Sequence, residues 1–294
     1  MTVSGAFAYV APGTVADAIA VLEQCTKEKR RAQVLAGGTD LLVQLRGQDR
    51  SPRTLIDIKK IADTTKLDLG RTETFIGAAL SSAVLNENPA LVQRFPGLLE
   101  AADLIGSTQI QGRATLGGNL CNASPAGDSI PAMIANGAIC VIAGKNGTRE
   151  LPVENFVVGV GRNALQQSEF LIGLKLPNPG PRTSDAYLRF IPRTEMDIAV
   201  AGCGVSLSFD AKGICTAARV AIGAVAPTAL LVPAAAQALI GTAVDEAALQ
   251  AAGAACSAAA VPITDKRGTE VYRRKVVGVL CRRAAAIART RALA

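Results

Sequence analysis

Two stretches of the chain combine bare backbone with little charge. One reads VLAGGTDLL from Val34 to Leu42, the other TLGGNLCNASPAGDS from Thr115 to Ser129. Their paired glycines, Gly37 with Gly38 and Gly117 with Gly118, permit positive φ and leave successive N–H groups uncovered where a helix begins. Such a nest attracts phosphate. The helix dipole adds roughly half a unit of positive charge there, so a diphosphate can be held without Lys or Arg. Neither stretch is G-x-G-x-x-G, and for the first a glycine needed only for close packing is the competing reading. The second adds Thr115, Asn119, Asn122 and Asp128, whose polar groups must find partners if buried. A long ligand with phosphates, hydroxyls and a ring would supply them, Asp128 accepting from a hydroxyl.

What is missing narrows the chemistry further. The chain has no histidine and no tryptophan, which removes Ser-His-Asp and Cys-His nucleophile systems, His-ligated zinc and the commonest general base. Carboxylates and lysines could still move protons, but a bound cofactor is the simpler source of bond chemistry. GKNGT, from Gly144 to Thr148, lacks the earlier glycine of a G-x-x-x-x-G-K-[ST] loop. It reads instead as a hairpin turn between AICVIAG and RELPV.

The elements that would carry the two turns follow from local pattern. TVADAIAVLEQC, from Thr14 to Cys25, has helical period after a possible Thr14 cap, and AQVLAGG reads as a short strand ending in glycine. Thr39 or Asp40 can cap LLVQLR, and TLIDI, from Thr54 to Ile58, supplies a second strand, so the unit is strand, helix, strand of the parallel type. TTKLDLG and TFIGAAL are strand-like. NPALVQRFPGLLEAADLIG is helical with a break at Pro96, and the second glycine turn follows it. The cluster Pro177, Pro179, Gly180 and Pro181 marks a linker. Beyond it come strands and then Ala-rich helices from about Pro233, an order expected of a separate α+β domain.

A chain of 294 residues divides naturally into two or three domains, and 49% hydrophobic residues make it globular. The start lacks the basic and long apolar segments of a signal peptide, so secretion is not expected. The most apolar region, Ala224 to Gly241, is broken by Pro227 and Pro233, so no membrane span is expected. The seven cysteines include no pair separated by two or three residues, which argues against zinc ribbons, ferredoxin-type clusters and thioredoxin-like pairs. Scattered thiols suit a reducing cytoplasm. The net charge of +7 resides between Asp265 and Ala294, where nine Lys or Arg face two Asp or Glu. There Val276, Val279, Leu280 and Ile287 recur at helical spacing. A solvated face or an acidic partner subunit accounts for that helix better than nucleic acid, given 3% aromatic content.

LAGGTDLL, IGSTQI, TLGGNLCNASPAGDSIPAM, DIAVAGCGV, RVAIGAVAPT and DKRGTEVYRRKVVGVL together resemble the FAD-carrying medium subunit of the molybdenum hydroxylases, the xanthine dehydrogenase and carbon monoxide dehydrogenase family. The similarity runs from about Val34 to Leu280. It implies an α+β fold: a two-lobed FAD-binding domain of the vanillyl-alcohol oxidase (PCMH) type over 1–178, with lobes of about 1–58 and 59–178, and a smaller C-terminal domain of antiparallel sheet plus helices over 183–294. The diphosphate of FAD would lie on Leu35, Ala36, Gly37, Gly38, Thr39, Asp40 and Leu41. Thr115, Gly117, Gly118, Asn119 and Asn122 would hold the rest. Ile105 would pack on the adenine side, Leu171 would offer backbone and Asp128 would bind a hydroxyl. Relatives often carry lysine near the flavin ring where this chain has Arg189, which keeps the charge and alters its geometry. The usual QIRN reads QIQG here, from Gln109 to Gly112. Arg193 falls in a loop the family places close to the flavin, and a salt bridge to Glu195 or Asp197 is an equal role for it.

The resemblance implies an electron-transfer subunit with non-covalent FAD and no metal of its own. It would accept electrons from 2Fe-2S clusters on a small partner subunit, beside a large subunit bearing the molybdenum cofactor, and pass them to an external acceptor. A cytoplasmic location is expected. The absence of histidine favours non-covalent attachment, although Cys121 beside the turn leaves room for a cysteinyl bond. The rival readings are a stand-alone flavin oxidase and a nucleotide-binding scaffold or assembly protein that docks through the basic helix.

Overall fold

The computed structural model describes residues 7–47, 51–194 and 196–294. A three-stranded parallel sheet opens the chain: β1 (Phe7–Val10), β2 (Arg31–Leu35) and β3 (Arg53–Asp57), in the order β1-β3-β2. Helix α1 (Val15–Lys27) precedes β2, and Thr14 caps it by accepting from the Asp17 N–H at 3.1 Å. Helix α2 (Leu41–Arg46) joins β2 to β3. The strand, helix, strand unit is therefore present, with β1 added on the far side of β3. Covered on both faces, β3 is buried along its whole length, as central parallel strands are.

A five-stranded antiparallel sheet follows, in the order β4 (Leu67–Leu69), β5 (Glu73–Gly77), β10 (Phe170–Pro177), β6 (Ile139–Gly144), β7 (Gly147–Pro152). Strand β10 sits in the middle, and its apolar run FLIGL is buried throughout. Between β5 and β6 the chain makes α4 (Ser82–Asn86), α5 (Pro89–Arg94), α6 (Pro96–Asp103), α7 (Thr108–Gln111), α8 (Leu116–Asn122) and α9 (Ser129–Ala135). Pro96 ends one helix and starts the next, because it lacks the N–H that a continuing helix would need and suits a first turn. The hairpin at Gly144 to Gly147 turns through Lys145 and Asn146. Strands β8 (Val157–Gly159) and β9 (Arg162–Asn163) form a small ribbon.

The last sheet is antiparallel, β11 (Thr183–Phe190), β12 (Ala201–Phe209), β13 (Cys215–Gly223) and β14 (Leu230–Leu231), followed by α10 (Pro233–Leu239), α11 (Glu246–Ala259) and α12 (Glu270–Leu293). One face carries α11 and α12 over Cys203, Val205 and Leu207; the other meets α6 and α9. That second face is glycine-rich for a reason. A Cβ at Gly204 would lie 2.8 Å from the Pro131 carbonyl oxygen, and one at Gly223 2.6 Å from the Pro131 ring.

Two expectations change in detail. The buried face of α12 is carried by Val277, Leu280, Cys281, Ala284, Ala285 and Ala288, while Val276, Val279 and Ile287 are only partly covered. Part of the charge there is paired: Arg273 of α12 is 4% exposed and donates to Val200 O and Asp265, Arg291 of α12 pairs with Glu100, and Arg267, just before the helix, pairs with Asp197. The second change concerns the thiols. Cys203, Cys256 and Cys281, distant in sequence, place their sulfur atoms within 4.8 Å of one another in the core of the last sheet and its helices.

Candidate cofactor-binding site

The two glycine turns meet in space. The first leaves β2 at Leu35 and enters α2, with Gly38 at a φ of +80° and its carbonyl accepting from the Leu42 N–H at 3.0 Å. Asp40 occupies the N-cap position, and its carboxylate makes no capping bond. A Cβ at Gly37 would overlap the Arg113 carbonyl oxygen, and one at Gly117 would lie 2.6 Å from that of Ala78. Close packing thus requires both glycines. The same contact presses the first turn against the second, so packing and ligand binding draw on one arrangement.

Thr115 caps α8, its Oγ1 accepting from the Gly118 N–H at 2.8 Å. The amides of this turn tie neighbouring elements to it. Asn119 Oδ1 accepts from the Ser129 hydroxyl at 2.8 Å, and Asn122 Oδ1 accepts from Gln44 Nε2 at 3.0 Å, linking α8 to α9 and to α2. Ala123 ends α8 in the left-handed region at a φ of 51°.

A cavity of about 710 Å³ lies against both turns, within the roughly 300–1,000 Å³ of small-molecule sites. Ala36, Gly37, Gly38, Thr39, Asp40 and Leu41 line it from one side, and Thr115, Gly117, Gly118, Asn119 and Asn122 from the other. Ile105 and Leu171 also line it. Three expected residues do not. Leu35 is buried beneath the turn, 2.8 Å from where a Gly38 Cβ would stand. Asp128 and Arg189 lie beyond the cavity and pair with each other, Arg189 Nη1 donating to Asp128 Oδ2 at 2.6 Å. The Tyr187 hydroxyl donates to the other Asp128 oxygen at 2.9 Å. Arg193 is exposed and pairs with Asp197 at 3.2 Å; Glu195 lies outside the described residues.

Other groups in the wall escaped sequence reasoning. Lys29 and Arg30, from the turn between α1 and β2, and Arg31, which opens β2, line the cavity; the run KEKRR, residues 27–31, is the available signal. Cys121 lines it too, and burial pushes its thiol up to about 12, so it stays protonated at neutral pH. Glu169 lines it as well, in a two-bond pair with Arg149 at 2.8 and 2.7 Å. Arg149 holds that carboxyl below its usual range, against the opposing effect of burial.

The first turn is also held from below. Lys59 donates to the Ala36 carbonyl oxygen at 2.8 Å and to Asp57 at 2.7 Å, while the Tyr9 hydroxyl donates to Asp57 at 2.7 Å. Burial pushes the Asp57 carboxyl up, but the Lys59 and Tyr9 hydrogen bonds and the Lys59 charge outweigh it and hold the group below the ordinary range. The site thus offers backbone and mostly uncharged side chains at both turns, apolar Ile105 and Leu171, and the cations Lys29, Arg30 and Arg31. Phosphates, sugar hydroxyls and flat rings are what such a lining accommodates, and FAD contains all three.

Comparison with known proteins agrees with this chemistry. The model of the FAD binding domain in molybdopterin dehydrogenase matches residues 5–179, and that of the CO dehydrogenase flavoprotein C-terminal domain matches residues 186–288. The carbon monoxide dehydrogenase medium chain of Afipia carboxidovorans is 32% identical over 290 residues, 99% of each chain. The nicotinate dehydrogenase FAD-subunit of Eubacterium barkeri is 32% identical over 213 residues, 71% of each. Among solved structures, a carbon monoxide dehydrogenase from Hydrogenophaga pseudoflava that lacks the Mo-pyranopterin moiety superposes with a TM-score of 0.91 at 34% identity, covering 97% of this chain and 98% of that one.

Proposed function

The chain belongs to the family of FAD-binding medium subunits of the molybdenum hydroxylases, and from that premise we propose that it relays electrons from 2Fe-2S clusters on a small partner subunit to an external acceptor. The molybdenum cofactor would sit on a large partner subunit, which alone would act on the substrate. The observation that carries this reading is the convergence of both glycine turns on one cavity within the matched domain. A cytoplasmic setting is part of the proposal; among the described residues no helix is long and apolar enough to cross a membrane.

FAD, when bound, supplies the exchange between one-electron and two-electron transfer. The chain's own residues bind and orient it. Ala36 to Leu41 would take the diphosphate on backbone N–H groups, with Lys59 fixing the Ala36 carbonyl beneath them. Thr115 to Asn119 would hold the rest of FAD, its hydroxyls included, and Ile105 would cover the adenine side. Leu171 would contribute backbone. Cys121 is a neutral thiol, which supports non-covalent attachment. A division at 178–183 is supported by the stretch without helix or strand between the end of β10 at Pro177 and the start of β11 at Thr183.

Co-expression with the small and large subunits tests the proposal. The purified complex should contain flavin, iron and molybdenum, and flavin in this chain should be reduced quickly by substrate only when the cluster subunit is present. A colourless chain, or direct flavin reduction by substrate in the isolated chain, would overturn it.

A further inference from the structure

Three thiols far apart in sequence meet in the C-terminal half of the chain. Cys203 on β12, Cys256 on α11 and Cys281 on α12 are fully buried, and their sulfur atoms all lie within 4.8 Å of one another. Cysteines that serve only as small apolar filler need not converge. Cys215 shows as much: it is buried in the same core and stands outside the group.

The backbone is shaped to bring them together. Gly253 and Gly278 stand three residues before Cys256 and Cys281, and so share a helix face with them. A Cβ at Gly253 would lie 2.8 Å from the Gly278 carbonyl oxygen, and one at Gly278 would lie 2.8 Å from that of Gly253. The two helices therefore cross in backbone contact one turn from the thiols. The Ser257 hydroxyl fastens the same crossing by donating to the Arg274 carbonyl oxygen at 2.8 Å. On β12, where successive residues point to opposite faces, Gly204 meets Pro131 on one side and Cys203 enters the core under the helices on the other.

We propose that Cys203, Cys256 and Cys281 form a site for one soft monovalent metal ion, Cu(I), which ties β12 to α11 and α12. This departs from the expectation that the chain carries no metal of its own. Sulfur ligands select soft ions, Cu(I) and zinc among them. A closed zinc site takes four ligands; among the described residues no carboxylate joins the three thiols, and the chain has no histidine. Three-coordination suits Cu(I) instead. Three sulfurs at about 2.3 Å from a central ion stand about 4.0 Å apart, which the observed limit accommodates. On binding, one thiol releases its proton to solvent and ligates as thiolate, while the other two ligate through sulfur lone pairs with their S–H bonds intact. No electron moves and the net charge of the core is unchanged, as an apolar setting demands. Since none of the three sulfurs reaches solvent, the ion enters before the helices close on the sheet.

The test is metal analysis of the full chain made in copper-supplemented cells, purified without oxygen and dialysed against the Cu(I) chelator bathocuproine disulfonate. Wild type should retain about one copper ion per chain, because the ion is bound as the core forms. Cys256→Ala should retain at least roughly tenfold less. Cys215→Ala removes a buried thiol from the same core but outside the group, and should retain copper as wild type does. A wild-type chain without copper, zinc in its place, or equal losses in the two variants would overturn the proposal. Should either variant fail to fold, X-ray absorption of the wild-type chain decides: a shell of three sulfurs at about 2.3 Å is expected. Nitrogen or oxygen ligands, or any other number of sulfurs, would overturn it.

Discussion

The ammonium of Lys59 lies 2.8 Å from the Ala36 carbonyl oxygen, directly under the first glycine turn, and 2.7 Å from Asp57. A cation in that position sets the backbone from which the turn's N–H groups project. Lys59→Met should weaken FAD binding roughly five- to tenfold, since a charged hydrogen bond that is partly exposed is lost. Lys60→Met, at an exposed neighbour, is the control and should leave affinity unchanged. Titration of both variants with FAD checks this, and equal affinities would contradict it.

Cys121 lines the cavity, and burial pushes its thiol up to about 12. Below that value the thiol keeps its proton, so at pH 8 it is a poor nucleophile. The chain should release all its flavin on denaturation and filtration. Intact native protein should show no alkylation of Cys121 by iodoacetamide at pH 8, with mass spectrometry of the peptide as the readout.

Asp185, on β11, accepts from the Gly97 N–H at 3.0 Å and the Leu98 N–H at 2.9 Å, closing the start of α6 in the other half of the chain. Asn136 adds a third donor at 2.7 Å. Asp185→Ala leaves those buried donors unmatched and should cost about 2 to 4 kcal/mol. The melting temperature should fall by roughly 5 to 10 °C. A fall of less than about 2 °C by circular dichroism would refute the assignment.

Glu169 is held below its usual range by Arg149. A lowered folded value means that its contribution to stability is present above the unfolded value, about 4.3, and is lost as pH falls through the folded one. Glu169→Gln should therefore melt at a lower temperature than wild type at pH 7, and the two curves should converge toward pH 3. A constant gap across that range would show that the ion pair is not responsible.

Sequence alone reached the elements whose signals are local. Thr14 before an apolar helical period, Pro96 inside one, and the bare turns at Gly37 and Gly117 each act within a few residues, and each stands where its chemistry requires. Groups that work across the chain were hidden. Lys59 reaches Ala36 only because β2 and β3 pair in parallel, and Tyr187 reaches Asp128 only because the last sheet packs on α9. The buried face of α12 is not legible from Val276, Val279, Leu280 and Ile287, because alanines at Ala284, Ala285 and Ala288 give little hydropathic contrast. Their size is nonetheless what suits close helix packing, as at Gly278, where a Cβ would lie 2.8 Å from the Gly253 carbonyl oxygen. The meeting of Cys203, Cys256 and Cys281 depends on three elements at once, which spacing does not report.

The overlap that any side chain at Gly37 would make with the Arg113 carbonyl also constrains how such proteins can be recombined. The two loops are one mould in two pieces, each shaped by the other's backbone. A graft that imports residues 35–41 from a relative should succeed only when 113–119 travel with them, so the unit of exchange is the pair.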